Sequence, residues 1–253
     1  MGYFLKEVRG DFARDAATHG SMKPNAAYQA GDILFDWTPF DLPHAAELVS
    51  VSIIGKGTEG ADQSQPKINF YFAKSIDGVA PSKLGNTNSA VNTPTIAAGE
   101  GWFNHVIAKH EFEEATLDGT LDTDLIYLTA ISSSTHIAPN IVLQAEGKGY
   151  NNVYLAATVA DGTPDYGTGV LLNQGSDQAA TTTRTTLTVD GVSALLVFAP
   201  GDVIVAEDGA AIGTILEVVS ATSIIVDKCE AAIEDDDEIC HVSPIRVFLG
   251  FKW

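Results

Sequence analysis

The sequence predicts an all-β fold: an antiparallel β-sandwich, jelly-roll-like, joined to a small barrel-like β module. Short runs rich in β-branched and aromatic residues recur every ~8 to 15 positions, and helical periodicity is nearly absent. Tight Gly-containing turns separate these runs and favour antiparallel hairpins over a parallel α/β fold. The turns are Gly55-Lys56-Gly57, Asp77-Gly78, Asp118-Gly119, Asp161-Gly162, Asp190-Gly191 and Asp208-Gly209.

The individual elements follow from the same pattern. The predicted strands cover residues 32–37, 47–54, 67–73, 125–131, 140–146, 153–158, 185–189 and 195–198. One short helix is expected near residues 103–114. Residues 74–101 are rich in Ser, Asn, Thr, Pro and Gly, and loops of this length are uncommon inside compact domains and usually have a function, often contact with a partner. We therefore expect an extended arm there, lying across neighbouring subunits.

The domain organisation predicted from these elements is a sandwich at residues 1–172, including the arm, and a small β module at residues 173–253. At the end of the sequence, Ile245, Val247, Leu249, Phe251 and Trp253 face one way and alternate with Arg246, Phe248, Gly250 and Lys252. An end this apolar is expected to be buried. The segment 245–253 is therefore a candidate strand that returns to the first domain, which would make the small module an insertion.

Composition excludes several classes of protein. The 253 residues are 45% apolar, which is too many for a disordered chain, and no run approaches the ~18 apolar residues of a transmembrane helix. Charges at Lys6, Glu7, Arg9 and Asp11 interrupt any signal-peptide core, so secretion by that route is not expected. With 33 acidic and 14 basic residues, the formal charge of −19 argues against nucleic acid as a partner.

No motif predicts catalysis, a cofactor or a metal. The string at residues 55–60 matches G-x-G-x-x-G, but a strand rather than a helix follows, so a nucleotide site is not expected. His110-Glu111 lacks the second histidine of a zinc-protease motif. Two cysteines, Cys229 and Cys240, are expected to be reduced thiols on neighbouring strands. We therefore expect a protein that is not an enzyme.

Two acidic clusters leave alternatives open. Asp118, Asp122 and Asp124 could converge on calcium or form a solvated turn, although their spacing differs from the twelve-residue calcium loop. The run at residues 234–238 places five acidic side chains in one loop. Such a run is either solvated or docks on a basic surface.

Two stretches carry a family resemblance. The first is AELVSVSIIGKGTEGADQSQPKINFYFAKSIDGVAPSKLGNTNSAV, and the second is PGDVIVAEDGAAIGTILEVVSATSIIVDKCEAAIEDDDEICHVSPIRVFLGF. Together they cover under half of the chain, and they resemble virion structural proteins of tailed bacteriophages, of the type that decorates or cements the capsid. The resemblance implies a virion protein, often trimeric, bound at symmetry points of the head lattice and without a catalytic site.

The expected partners are accordingly the major capsid protein and further copies of this chain, as a homotrimer, with no nucleic acid and no membrane. The protein would be made in the host cytoplasm and reside on the capsid surface. The candidate interface residues are aromatic or acidic: Tyr3, Phe4, Phe12, Trp37, Phe40, Trp102, Phe103, Asp235, Asp236, Asp237 and Trp253.

Two alternatives use the same β architecture. A glycan-binding receptor-recognition protein of a tail fibre or head fibre would need exposed aromatic residues with polar neighbours, for which Trp37, Tyr150 and Tyr154 are candidates. A glycan-degrading enzyme would need two carboxylates about 5 to 10 Å apart, which a sequence does not reveal.

Overall fold

The structure is a computed structural model that describes residues 2–10, 28–42, 44–56, 67–91, 101–112, 117–122, 125–131, 139–164, 170–172, 177–191, 193–206 and 210–253. These residues form two antiparallel sheets, which pack against each other as a sandwich. They also form a separate closed antiparallel barrel. The predicted all-β sandwich fold is confirmed.

The first sheet contains both ends of the described chain. In spatial order its strands are β1 (Tyr3–Arg9), β16 (Ile245–Lys252), β3 (Ala46–Lys56), β7 (Leu125–Ile131) and β6 (Leu117–Asp122), with β8 (Ile141–Leu143) also paired to β3. The turn predicted at Asp118-Gly119 is wrong, because these two residues lie inside β6. The final strand, β16, is thus a central strand of the sandwich.

The second sheet faces the first one. Its strands, in spatial order, are β2 (Ile33–Asp41), β9 (Asn152–Asp161), β4 (Lys67–Lys74) and β5 (Val106–Phe112). The helix expected near residues 103–114 is wrong. Only a single 3-10 turn, Trp102–Asn104, precedes β5, in which exposed and covered side chains alternate with the period of a strand.

The main core lies between the two sheets. Leu48 and Val51 of β3 and Leu249 of β16 are fully buried there against Phe70 and Leu155 of the second sheet. Along β16 the predicted alternation holds for Ile245, Val247, Leu249 and Phe251, which are buried. Trp253 departs from it and is 60% exposed.

The barrel has its own core. Its strands, in spatial order around the barrel, are β10 (Val170–Leu172), β11 (Thr185–Gly191), β14 (Ser223–Val226), β13 (Ala211–Ser220), β12 (Val203–Ala206) and β15 (Glu238–His241). Strand β10 lies on the sandwich side of the boundary predicted at residue 172 but is a barrel strand. Residues 195–198, predicted as a strand, fall largely in a helical turn, α1 (Ala194–Val197).

The predicted arm packs on its own sheet as far as the structure describes it. Residues 75–91, here called the strap, cross the outer face of the second sheet. Leu84 is 1% exposed and packs in a small cluster with Trp37 and Ala156. The Trp37 indole Nε1 donates a hydrogen bond to the Ser82 carbonyl at 2.9 Å. Residues 75–91 therefore pack on the chain's own sheet, and their contact with neighbouring subunits stays a prediction. Residues 92–100 lie outside the described residues.

Candidate functional site

The sandwich has two distinct ends. The chain leaves the sandwich for the barrel after Asp161, where β9 ends, and returns at Ile245, where β16 begins. Near that end, the Ser243 hydroxyl donates a hydrogen bond to the Gly10 carbonyl at 2.5 Å. The opposite end contains the beginning of β9 and the end of β16. Phe40 and Phe251, one from each sheet, lie there with ring centroids 6.1 Å apart.

Exposed aromatic side chains gather at this second end, which we call the aromatic end. Among the residues with described side chains, the aromatic residues exposed by more than a third are Tyr3 at 69%, Phe103 at 48%, Tyr150 at 47% and Trp253 at 60%. Tyr3 opens β1, Trp253 follows β16, Phe103 precedes β5, and Tyr150 precedes β9. Four separate chain segments therefore bring their aromatic residues to one end of the sandwich.

One corner of the aromatic end is an aromatic stack that runs from the core to the surface. The Phe4 ring lies 5.1 Å from that of Phe251 and 4.8 Å from that of Trp253, measured between centroids. Beside it is an open cavity of about 380 Å³, lined by Phe4, Lys6, His44, Ala46 and Trp253. Its aromatic walls are suited to an apolar anchor from a partner.

The other corner consists of two hairpin turns and the 3-10 turn before β5. Residues 76–79 and 147–150 each close with paired backbone hydrogen bonds. The central residues of both turns have positive φ, 50° and 77° at Asp77 and Gly78, and 56° and 94° at Lys148 and Gly149. Positive φ at both central residues is typical of type I′ turns, whose twist matches that of hairpin strands.

Glu146 and Tyr150 hold these two hairpin turns together. The Glu146 carboxylate accepts a hydrogen bond from the Gly78 backbone N–H at 3.0 Å. That bond, with further hydrogen bonds from Ser75 and the Asp77 backbone, lowers the pKa of Glu146. The Tyr150 ring lies directly over Gly78, where an added Cβ would come within 2.4 Å of it. The corner is therefore rigidly assembled from distant parts of the chain.

A second open cavity, the corner cavity, lies between the strap and the 3-10 turn. It has a volume of about 440 Å³ and is lined by Ile76, Asp77, Val79, Ala80, Ser82, Asn104 and His105. His105 is 6% exposed, and its Nδ1 lies 2.9 Å from the Lys74 carbonyl oxygen. Because a carbonyl only accepts, Nδ1 carries a proton and donates this hydrogen bond.

The structure places the predicted aromatic residues unequally. Tyr3, Phe4, Phe103 and Trp253 lie at the aromatic end. Trp102 is half-buried against the small cluster of Leu84, Trp37 and Ala156, here called the strap cluster. Trp37 and Phe40 are each 6% exposed and lie in the core, where they present little surface to a partner or a glycan. Of the other glycan candidates, Tyr150 is exposed and Tyr154 packs against the strap cluster. Phe12 lies outside the described residues.

The acidic run at residues 234–238 forms an ordered turn of the barrel. The Asp237 carboxylate accepts a hydrogen bond from the Glu234 N–H at 2.7 Å, and Asp177 accepts one from the Asp235 N–H at 3.2 Å. Asp236 occupies the left-handed region with φ of 67°. The carboxylates of Asp237, within the run, and of Asp177, outside it, thus serve the turn itself, and the run belongs to the barrel and not to the aromatic end of the sandwich.

Metal binding finds no support in the described part of the chain, where no group of three or more His, Cys, Asp or Glu side chains is placed to hold an ion. The side chains of Asp118 and Asp122, and all of Asp124, lie outside what the structure describes. Cys229 and Cys240 are buried and are not joined by a disulfide bond. No helix within the described ranges is long and apolar enough to span a bilayer.

Sequence reasoning missed the polar side of the corner cavity. Asn104, His105 and Glu146 carry no motif, and each stands between strands that are remote in sequence. The sequence does predict a turn at Asp77-Gly78, and Lys148-Gly149 is a similar Gly-containing turn pattern. Only strand pairing reveals that these turns meet.

In comparisons with known proteins, no family model, no curated protein and no solved structure matches this chain.

Proposed function

We propose that this protein is a non-enzymatic virion structural protein of a tailed phage, which binds the outer surface of the capsid through its aromatic end and decorates or stabilises it. The observation that carries the proposal is the gathering of Tyr3, Phe103, Tyr150 and Trp253 at the end opposite the barrel. Exposed aromatic side chains are enriched at protein interfaces, where aromatic anchors commonly dominate the binding energy.

The difference between the two ends of the sandwich supports attachment by one end. If the aromatic end contacts the major capsid protein, the barrel points away from the shell. The charge of −19 fits a basic surface on that partner, because opposite charges accelerate association and select partners. A homotrimer would place three aromatic ends on one symmetry point and multiply the strength of attachment. This assignment places the protein on the virion surface.

The test is co-sedimentation with purified shells of the phage that encodes the protein, together with its mass by light scattering. We expect a trimer that pellets with shells. The double substitution Phe103→Ser and Trp253→Ser should weaken binding at least about tenfold, because hot-spot aromatics each contribute roughly 2 kcal/mol. The matched control is Leu195→Ser and Val219→Ser on the barrel, which are 59% and 52% exposed. A monomer indifferent to shells, or equal losses in both variants, would contradict the proposal.

A second candidate function is glycan recognition by a tail-fibre or head-fibre protein. It is favoured by the exposed Tyr150 ring beside Asp77 and the other polar side chains of the corner cavity. Binding to a glycan array without binding to shells would favour this candidate over decoration.

A further inference from the structure

We infer that the corner cavity is a binding site for a neutral saccharide, with Asp77, Asn104 and His105 as its hydrogen-bonding groups and Tyr150 as its flanking aromatic ring. The inference deepens the second candidate function and does not depend on attachment to a capsid.

The cavity has the size and location of a ligand site. Its volume of about 440 Å³ lies within the range of roughly 300 to 1,000 Å³ that is common for small-molecule pockets. It is formed by turns at the end of a rigid sheet, where binding residues are frequently found. Glu146 holds the 76–79 turn in place through Gly78, and His105 is fixed through the Lys74 carbonyl. The site is therefore preorganised, which lowers the entropic cost of binding.

The side chains of the cavity match both the hydroxyl groups and the apolar C–H face of a sugar ring. Asp77 offers a carboxylate acceptor, Asn104 a donor and an acceptor, and His105 a polar ring edge. A ring of hydroxyl groups, each both donor and acceptor, can pair with all three. Ile76 and Val79 provide apolar contact for the C–H face of the ring. Tyr150 does not line the cavity itself, but its exposed ring lies over Gly78 of the 76–79 turn that does, and it offers an aromatic surface next to that turn.

Other ligand classes fit less well. Among the described residues, those that line the cavity include Asp77 but neither Lys nor Arg, so a phosphate, sulfate or sialic acid would meet repulsion from the Asp77 carboxylate. An entirely apolar ligand would leave the polar groups of Asn104 and His105 desolvated and unpaired, which is costly. The cavity beside Phe4 and Trp253, with its aromatic walls, is the one suited to an apolar group.

The experiment uses saturation-transfer difference NMR and calorimetry on the full chain. The probes are lactose, maltose, cellobiose and N,N′-diacetylchitobiose, with 3′-sialyllactose as the anionic probe and a tetrapeptide of alanine as the peptide probe. We expect millimolar or tighter binding of at least one neutral disaccharide. Asn104→Ala should weaken it about tenfold, the loss expected for a hydrogen-bonding group.

Matched controls separate local from general effects. Asp77→Asn should weaken binding severalfold while keeping the turn, because Asn tolerates the left-handed conformation. The same substitution at Asp236, which has a similar φ of 67° in the barrel, should leave binding unchanged. Tyr150→Ala should weaken binding about fivefold, and Tyr3→Ala should not.

Three results would overturn the inference. The first is that no neutral disaccharide binds, even at a concentration about ten times a millimolar Kd. The second is binding confined to the anionic or the peptide probe. The third is neutral-sugar binding that Asp77→Asn, Asn104→Ala and Tyr150→Ala all leave intact, with thermal melting confirming that each variant is folded. If a glycan array shows binding only to sugars that are not neutral, the second candidate function stands and the neutral-saccharide site in the corner cavity is rejected.

Discussion

Glu146 accepts a hydrogen bond from the backbone N–H of Gly78, a residue 68 positions earlier in the chain, at 3.0 Å. The bond joins the turn after β4 to the turn before β9. It places Tyr150 over Gly78 and fixes one wall of the corner cavity. The shape of this corner therefore depends on contacts between residues that are remote in sequence, and it is sensitive to single substitutions.

Gly78→Ala should destabilise the protein more than Gly149→Ala. Both glycines have positive φ, 77° and 94°, so alanine at either position costs about 1 to 2 kcal/mol of backbone strain. Only at Gly78 does the new Cβ also meet the Tyr150 ring, whereas the space beside Gly149 is open. Urea unfolding of the two variants measures the difference. Equal free energies of unfolding would contradict the packing of Tyr150 over Gly78.

The contribution of Glu146 to stability should depend on pH. Hydrogen bonds from Gly78, Ser75 and Asp77 lower its pKa in the folded protein. A lowered pKa means that the stabilisation is fully present above the ordinary pKa of glutamate, and it is lost as the pH falls through the folded-state value. The difference in free energy of unfolding between wild type and Glu146→Gln should therefore be largest near neutral pH and shrink in acid. A difference that stays constant with pH would contradict this.

Leu84→Ala should release the strap from the second sheet. Leu84 is 1% exposed and packs on Trp37 and Ala156, so its truncation leaves a cavity and costs about 2 to 5 kcal/mol. The matched control is Leu195→Ala on α1, where the side chain is 59% exposed and the cost should be near zero. Chemical denaturation compares the two, and limited proteolysis should show earlier cleavage within residues 75–91 of the Leu84 variant.

The two thiols should be unreactive in the folded protein. Cys229 and Cys240 are 0% exposed, and burial raises the pKa of the Cys229 thiol, which disfavours the reactive thiolate. A thiol-specific chromogenic reagent should label both residues only as fast as the barrel opens, and fully in urea. The control is Thr182→Cys at an exposed position, which should be labelled at once. Rapid labelling of the wild type would show that the barrel opens readily.

Much of the fold could be predicted because it depends on local patterns. Strands such as β4 and β7 were located within a residue because their β-branched and aromatic runs end at turn residues. The alternation along β16 predicted a buried strand, and pairing with β1 and β3 satisfies it. Strand β1 was missed because its charges at Lys6, Glu7 and Arg9 obscure the apolar pattern. Those charges are tolerated since Glu7 accepts hydrogen bonds from both Arg9 and Arg246.

The sequence by itself determined the fold class, the absence of recognisable catalytic motifs, the acidic charge and many of the strand positions, because these follow from composition and from short-range periodicity. Only the tertiary structure decided which aromatic residues are exposed and which turns meet. Trp37 and Trp253 look equally suited to an interface in the sequence, yet one is 6% and the other 60% exposed. Burial depends on which strands pair and which faces are covered, and these long-range contacts leave no local signal in the chain.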